Sequence, residues 1–277
     1  MKKRYIYLYL IGWWLFCVAC TGNFRDYNTD LSGITNEDLN IDDNGYGIRL
    51  GIIQQGIYFN YDYGKGKNWP FQLIQNLNAD MFSGYMHDAK PLNGGSNNSD
   101  YNMQDGWNSA MWTHVYSYIF PQIYQSENAT RDTHPALFGI TKILKVEVMH
   151  RVTDYYGPII YRHFANAEKH YQPDTQKEVY YEFFNELDSA VVALIGYIEE
   201  KPESNGFARF DILLDGKYSS WVKFANSLRL RLSMRLASIA PDKARLEIEK
   251  IKENDYGFFE RGSEKVAVST KSRSEER

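Results

Sequence analysis

WVKFANSLRLRLSMRLAS, Trp221–Ser238, reads at its centre as a strict alternation. Leu228, Leu230, Leu232, Met234 and Leu236 take every second place, with Arg229, Arg231, Ser233 and Arg235 between them, which is the period of a half-buried strand. Composition argues the other way. A strand of that length would be abnormal, β-branched aliphatics are scarce in it, and Leu, Arg, Met and Ala are strong helix formers. Placed at about 100° per residue, Trp221, Phe224, Ala225, Leu228, Leu232, Leu236 and Ile239 share an arc of roughly 120°. Leu230, Met234 and Ala237 fall on the opposite side, with Asn226, Arg229 and Arg231 in the seams. The stretch is therefore read as a helix buried on two faces, the situation of an element inside a stack of helix pairs. Arg235 lies at the edge of the main arc and needs a carboxylate or a route to water.

Working outward, the same helical period recurs. Leu137, Ile140, Leu144, Val148 and Val152 follow Thr133 and Pro135 and predict a helix over 134–153. Val179, Phe183, Leu187, Val191, Leu194 and Ile198 predict another over 177–200. Shorter helices are expected around Phe71, Ile74 and Leu77, around Ala110, His114 and Tyr118, and after Pro241 through Ala244, Ile248 and Ile251. Strand signals are few, so the fold class is mostly α, with long irregular loops. The largest loop, His87 to Asp105, holds Pro91, Asn93, Gly94, Gly95, Asn97, Asn98 and Asn102, and ordered loops of that length usually carry function.

Of the 277 residues, 43% are hydrophobic and 24% charged, enough for a substantial core. A net charge of −4 argues against a protein that coats nucleic acid by counterion release. Arg229, Arg231 and Arg235 point different ways on their helix and form no basic stripe. Aromatic residues make up 16% of the chain, and Tyr alone counts 22, a composition that suits sugar stacking or an adhesive surface as well as ordinary half-buried scaffold.

The first residues read as an export signal. Lys2, Lys3 and Arg4 precede the uncharged run Tyr5–Ala19, which is shorter than the roughly 20 residues a spanning helix needs. It ends in Cys17-Val18-Ala19-Cys20, similar to a bacterial lipobox, so residues 1–19 are expected to be cleaved and Cys20 acylated, anchoring the chain to a bilayer. The mature chain then keeps no free thiol for disulfides, metal binding or nucleophilic catalysis. Residues 20–45, rich in Asn, Asp, Thr and Gly, form an aperiodic tether; 46–259 form the helical domain; 260–277 form a charged, Ser-rich tail.

Asp215-Gly216-Lys217-Tyr218-Ser219-Ser220-Trp221, continuing through Val222 to Met234 and Arg235, resembles the signature helix of the SusD-like (RagB/SusD) outer-membrane lipoproteins. The lipobox at Cys20, the segment Asn78-Ala79-Asp80-Met81-Phe82, and the helix end Val152-Thr153-Asp154-Tyr155-Tyr156-Gly157-Pro158-Ile159 fall in the same order as in that family. The resemblance implies a scaffold of tetratricopeptide-like helix pairs. It also implies a surface-facing, lipid-anchored outer-membrane protein that captures glycans, less often peptides, and delivers them to a SusC-like TonB-dependent transporter. Members of that family are longer, and the charged tail ends this chain where the second half would begin. The chain therefore reads as the N-terminal half of such a protein or as a frameshifted product.

Asp80, Tyr85, Tyr101, Asn102, Asp105 and Trp107 are the candidate ligand residues, because sugars need flat apolar faces for their C–H surfaces and planar polar groups for their hydroxyls. Trp107, Met111 and Val115 also fit a helical core stripe, and Asp80 suits bracing the loop as well as binding. Catalytic readings are weaker. Asp42 and Asp43 are adjacent and cannot flank a glycosidic bond, and His150 with Asp154 is an i,i+4 pair that reads as a salt bridge. His163 and His170 lack a third ligand at metal spacing, and Gly45-Tyr46-Gly47 precedes a helix but follows no strand. No cofactor or metal is expected. The competing readings are a surface glycoside hydrolase and a peptide-binding or adhesin-type lipoprotein.

Overall fold

The computed structural model describes residues 44–59, 69–87, 89–90, 95, 97–165, 172–204, 206–260 and 266. The expected signal peptide, Cys20, the tether up to residue 43, His170 and the charged tail apart from Glu260 and Val266 lie outside the described residues. What is described is helical. No strand occurs among these residues, only two isolated bridges, Asn97 with Asn102 and Ile159 with Asp174.

Helix α1 is Asn44–Gly56. Gly45, Tyr46 and Gly47 thus lie inside a helix and not ahead of it. Helix α2, residues 69–82, is an α turn Trp69–Phe71, a π-helical segment Gln72–Ala79 and a closing turn Asp80–Phe82. A short α3, Asp105–Asn108, leads into α4, residues 110–130, made of Ala110–His114, a second π segment Val115–Ile119 and Phe120–Thr130. Then come α5 (Pro135–Tyr156), α6 (Gln176–Glu200), α7 (Tyr218–Leu236) and α8 (Pro241–Lys250). The π segment in α4 shifts the helical phase, so Val115 and Ile119 are buried while Tyr118 turns outward from the stripe expected of it.

Each of the later helices packs against the next in sequence: α4 on α5, α5 on α6, α6 on α7 and α7 on α8. Neighbours run antiparallel. On α5 and α6, Lys142 meets Glu186 while Thr153 meets Gln176; on α7 and α8, Arg229 meets Glu247. This is the stacked helix-pair scaffold that the sequence predicts. Helix α5 is its centre, covered by α4, α6, α7 and α1. Its apolar stripe is accordingly wider than the predicted one, and Ile143, Val146 and Met149 are as fully buried as Ile140 and Leu144. At its crossing with α6, a Cβ on Gly139 would stand 2.9 Å from the Ala190 carbonyl oxygen, so glycine lets these helices approach. Gly157, at φ 77°, ends α5 with its N–H on the Thr153 carbonyl. Thr175 and Glu178 form a reciprocal capping box at the start of α6.

Helix α7 corrects the two-faced expectation. Trp221, Phe224, Ala225, Leu228, Leu232 and Leu236 are buried as predicted, but Ile239 on the same arc lies past the helix end and is 77% exposed, and on the far side Leu230 is half-buried, Met234 is 61% exposed and Ala237 is exposed. Burial spreads instead over Asn226, Arg229 and Ser233, because α8 packs there. Arg229 pairs with Glu247 of α8 and, through Nη2 at 2.6 Å, with Asp188 of α6; Lys250 reaches Asp188 at 2.6 Å. The second buried face is polar. Arg235 finds the carboxylate it needs, Asp154, at 2.8 Å. Before α7, the buried Asp211 accepts from the N–H groups of Leu213, Leu214 and Gly216 and from Trp221 Nε1, and so fixes how the helix starts.

A second ionic cluster lies between α4, α5 and α6. Lys142 and Lys145 both contact Glu127 and Glu186, and all four side chains are nearly buried. Burial pulls the Lys145 ammonium down, but Glu186 and Glu127 outweigh it and hold its pKa above the ordinary lysine value.

Candidate functional site

The loop after α2 and the C-terminal end of α5 meet through amides. Asn78, buried in the π segment, donates Nδ2 to the Trp107 carbonyl at 3.0 Å, and its Oδ1 accepts from Asn98 Nδ2 and from the Tyr155 hydroxyl. Asn98 Nδ2 also reaches the Leu77 carbonyl at 2.8 Å and Asn108 Oδ1 at 3.0 Å, while its Oδ1 accepts from the Gln104 N–H. Tyr156 donates to the Asn108 carbonyl and accepts from the Trp112 N–H. Three neutral side-chain amides thus clamp an irregular chain segment to the scaffold, with the buried atoms of Asn78 and Asn98 paired. Burial, with the neighbouring Tyr156, pushes the Tyr155 hydroxyl up to about 12, so it remains a neutral donor.

Above the clamp the loop closes on itself. Asn97 Oδ1 accepts from Asp100 N–H and Ser99 Oγ, Asn102 Nδ2 donates to the Gly95 carbonyl at 2.9 Å, and Tyr101 is held at φ 56°. That left-handed turn, costly for a tyrosine, sends its ring outward, 69% exposed. Its centroid lies 5.8 Å from Phe82, and Phe82 lies 6.3 Å from Tyr155. The aromatic series continues through Tyr156 to Trp112 and Tyr116 at 4.7, 5.4 and 4.4 Å. The outer end of this series, Tyr101 with Phe82 and Tyr155, is the candidate platform, its successive rings tilted by 46° and 57°.

The candidate residues take distinct places around it. Tyr101 is on the platform and Asn102 beside it, with one amide group already committed to Gly95. Asp105 is exposed in the first turn of α3. Tyr85 is 88% exposed on the turn after α2. Asp80 braces that turn: its carboxylate accepts from Gln75 at 2.7 Å and Asn76 at 3.2 Å, and its carbonyl from the Met86 N–H. Trp107 is half-buried and gives its carbonyl to the clamp, while Met111 and Val115 below it are core. Phe82, Tyr155 and the asparagines at 78, 98 and 108 were not among the candidates. Asn78, Phe82 and Tyr155 lie in NADMF and VTDYYGPI, segments read above for resemblance only, whereas Asn98 falls in the long loop and Asn108 at the end of α3.

Two clefts flank the seam between α5 and α7. One, of about 600 Å³, is lined by Asp154, Tyr180, Tyr181, Arg235 and Ile239 among others; the second, of about 390 Å³, includes Glu147, Arg151, Arg231 and Phe259. His150 is buried between them, 3.6 Å from Asp154 and 3.7 Å from Glu147. Burial pulls its pKa down, but the two carboxylates outweigh that and leave it raised. The i,i+4 pair is an ion pair when His150 is protonated, as its spacing predicts. Among the described residues, no group of three His, Cys, Asp or Glu side chains could hold a metal ion.

The scaffold is a stack of helix pairs with an exposed aromatic loop, and comparison with known proteins gives the family. Residues 26–276 match the SusD-like model, described as SusD and RagB outer membrane lipoprotein. The chain belongs to the SusD-like family. It is similar to a SusD homologue from Bacteroides vulgatus, with 43% identity and a TM-score of 0.77 over 83% of this chain and 46% of that one. A chitin-binding SusD homologue from Flavobacterium johnsoniae is 34% identical, with a TM-score of 0.75 over 82% of this chain and 46% of that one. A Bacteroides uniformis SusD homologue is 27% identical, with a TM-score of 0.70 over 82% and 45%. The chain thus spans about half the length of the solved relatives it matches. No curated protein matches it.

Proposed function

We propose that this protein is a non-catalytic, lipid-anchored binding protein of the outer membrane that captures glycans on the Tyr101 platform. Acylated Cys20 holds it at the cell surface, and a SusC-like TonB-dependent transporter receives the glycan. The observation that carries this reading is the clamped aromatic loop: an exposed Tyr101 ring beside Phe82 and Tyr155, with Asn102 and Asp105 close in sequence to supply hydrogen bonds. Membership in an outer-membrane lipoprotein family and likeness to a protein named as chitin-binding support it.

Calorimetric titration of the full chain with soluble chitin oligosaccharides tests the binding. Saturable heat without release of reducing ends is expected. Turnover abolished by a single Asp or Glu substitution would make the protein a hydrolase and overturn the proposal. The partnership has its own test, since pull-down from outer membranes should recover a TonB-dependent barrel and its absence would remove that part. Mass spectrometry of the mature chain should find Cys20 N-terminal and acylated.

A further inference from the structure

The cleft of about 390 Å³ between the end of α1, α5 and α7 falls within the usual size range of ligand pockets. Tyr58 follows α1, Glu147 and Arg151 come from α5, and Arg231 comes from α7. Phe259 closes one wall, its N–H held by Ser227 Oγ at 2.9 Å. Glu147 is the anomaly of this cleft. Its side chain is only 15% exposed, yet Oε2 is buried without a hydrogen-bond partner, 3.7 Å from His150 Nε2. The other oxygen has Arg231 Nη1 at 3.5 Å, the outer limit of a hydrogen bond.

Arg151 is underused in the opposite sense. Its Nη1 donates to the Ile57 carbonyl at 3.0 Å and its guanidinium lies 4.1 Å from the Phe59 ring centroid, but no carboxylate pairs with it among the described residues. Burial pulls its pKa down, and with Arg231 it outweighs the more distant Glu147. A carboxylate only accepts and a guanidinium only donates. An anionic ligand would therefore suit the arginines and be repelled by Glu147, a cationic one would do the reverse, and an apolar one would leave all three as they are. A hydroxyl both donates and accepts, so two adjacent hydroxyls answer both sides at once. The rest of the lining, Ile57, Leu228 and Phe259 among it, is apolar and suits the C–H surface of a sugar.

We propose that this cleft is a second glycan subsite, one that takes a neutral pyranose unit through vicinal hydroxyls. Glu147 accepts from one hydroxyl, the remaining donors of Arg151 and Arg231 reach its neighbour, and Phe259 covers the C–H face. The assignment rests on the reading of the protein as a glycan binder, and it adds to the aromatic loop a site that works by paired charges.

The test titrates the full chain, as wild type, Tyr101→Ala, Arg231→Ala and the double variant, with chitobiose, cellobiose, mannobiose and galactobiose, and with digalacturonate as the acidic counterpart of the last. At least one neutral disaccharide is expected to bind Tyr101→Ala, and adding Arg231→Ala should weaken that binding about tenfold, the share of one charge-assisted hydrogen bond. In wild type the same sugar should shift the Arg151 Nε–H resonance, a readout that stands even if the Arg231 variants fail to fold. No neutral disaccharide bound by Tyr101→Ala, equal affinity once Arg231 is removed, an unmoved Arg151 resonance, or tighter binding of digalacturonate than of any neutral sugar would overturn the proposal. Chitin-oligosaccharide binding that depends on Tyr101 would then still stand; the converse pattern, neutral sugar bound through Arg231 with no Tyr101-dependent glycan, would sink the platform and leave the cleft.

Discussion

The helix stack and the loop platform are held by different chemistry, although they share the end of α5. In the stack, burial of Trp221, Phe183 and Phe184 is combined with charged pairs sealed between helices, Lys142 and Lys145 with Glu127 and Glu186 on one side of α6 and Arg229 with Asp188 and Glu247 on another. The platform rests on neutral amides, Asn78, Asn98 and Asn108, and leaves Tyr101 in solvent. Losing a buried partner is expensive in the stack. In the loop, the same loss frees a recognition surface without unfolding what lies beneath.

The largest effect is expected from Trp221→Ala, which removes a fully buried indole and leaves Asp211 short of one donor. Chemical denaturation should show a loss of about 3–5 kcal/mol, with any remaining glycan affinity unchanged. A value below about 1 kcal/mol would mean that α7 does not anchor the stack. Glu186→Ala leaves Lys142 and Lys145 sharing Glu127 alone, one buried charge uncompensated, and should cost about 3 kcal/mol. Replacing Glu127, Lys142, Lys145 and Glu186 together with apolar residues of similar volume should recover most of that, since burying the charges offsets much of their attraction.

A smaller and more selective effect is expected from Asn98→Ala. It deletes the shared donor of the clamp and leaves the Asn78 and Asn108 oxygens one bond poorer, about 1–3 kcal/mol. Hydrogen exchange should rise in 95–108 while α5 and α6 stay protected, and glycan affinity should fall with it. Uniform loss of protection would erase the distinction between the two regions.

The smallest effect is that of pH on the α5–α7 seam. The raised pKa of His150 means that its contribution is full below the ordinary value of 6.5 and is lost as pH rises through the folded value. Asp154 acts oppositely. Burial raises its pKa, but His150, Tyr180 and Arg235 outweigh that and lower it, so its contribution is full above 3.8 and is lost as pH falls through the folded value. Between those limits both are present. Wild type should therefore exceed His150→Gln in stability by more at pH 5.5 than at pH 8.5. Comparing the two proteins cancels His114, whose burial lowers its pKa to about 4 and which acts with the opposite sign.

Helix periodicity made the scaffold legible in the sequence, because α5 and α6 carry apolar residues at spacings of three and four that end at Gly157 and begin after Thr175. Where the reading went astray, tertiary contacts override the local pattern. Met234 satisfies a second apolar arc on a helical wheel, yet the neighbouring helix packs over Arg229 and Ser233, and a polar face buried by ion pairs looks in sequence like an exposed one. The π segments at Gln72–Ala79 and Val115–Ile119 break the phase that periodicity assumes. Tyr101 could be picked out as an exposed aromatic in a polar loop. Phe82 and Tyr155 could not, since only folding brings residues so far apart in sequence to one platform, and Asp80, legible both as a brace and as a ligand residue, has its carboxylate engaged by Gln75 and Asn76. The cleft at Asp154 depends on α5, α6 and α7 together and has no contiguous signature.

Tyr101→Ala measures the central claim most directly. The ring is exposed and contributes little to folding, so the unfolding free energy should hold within the range of a surface substitution, about 0.5 kcal/mol, while affinity for chitin oligosaccharides falls by about tenfold or more, the worth of a stacked aromatic face. Unchanged affinity in this variant would contradict the account, because it would show that glycan is captured somewhere other than the clamped aromatic loop.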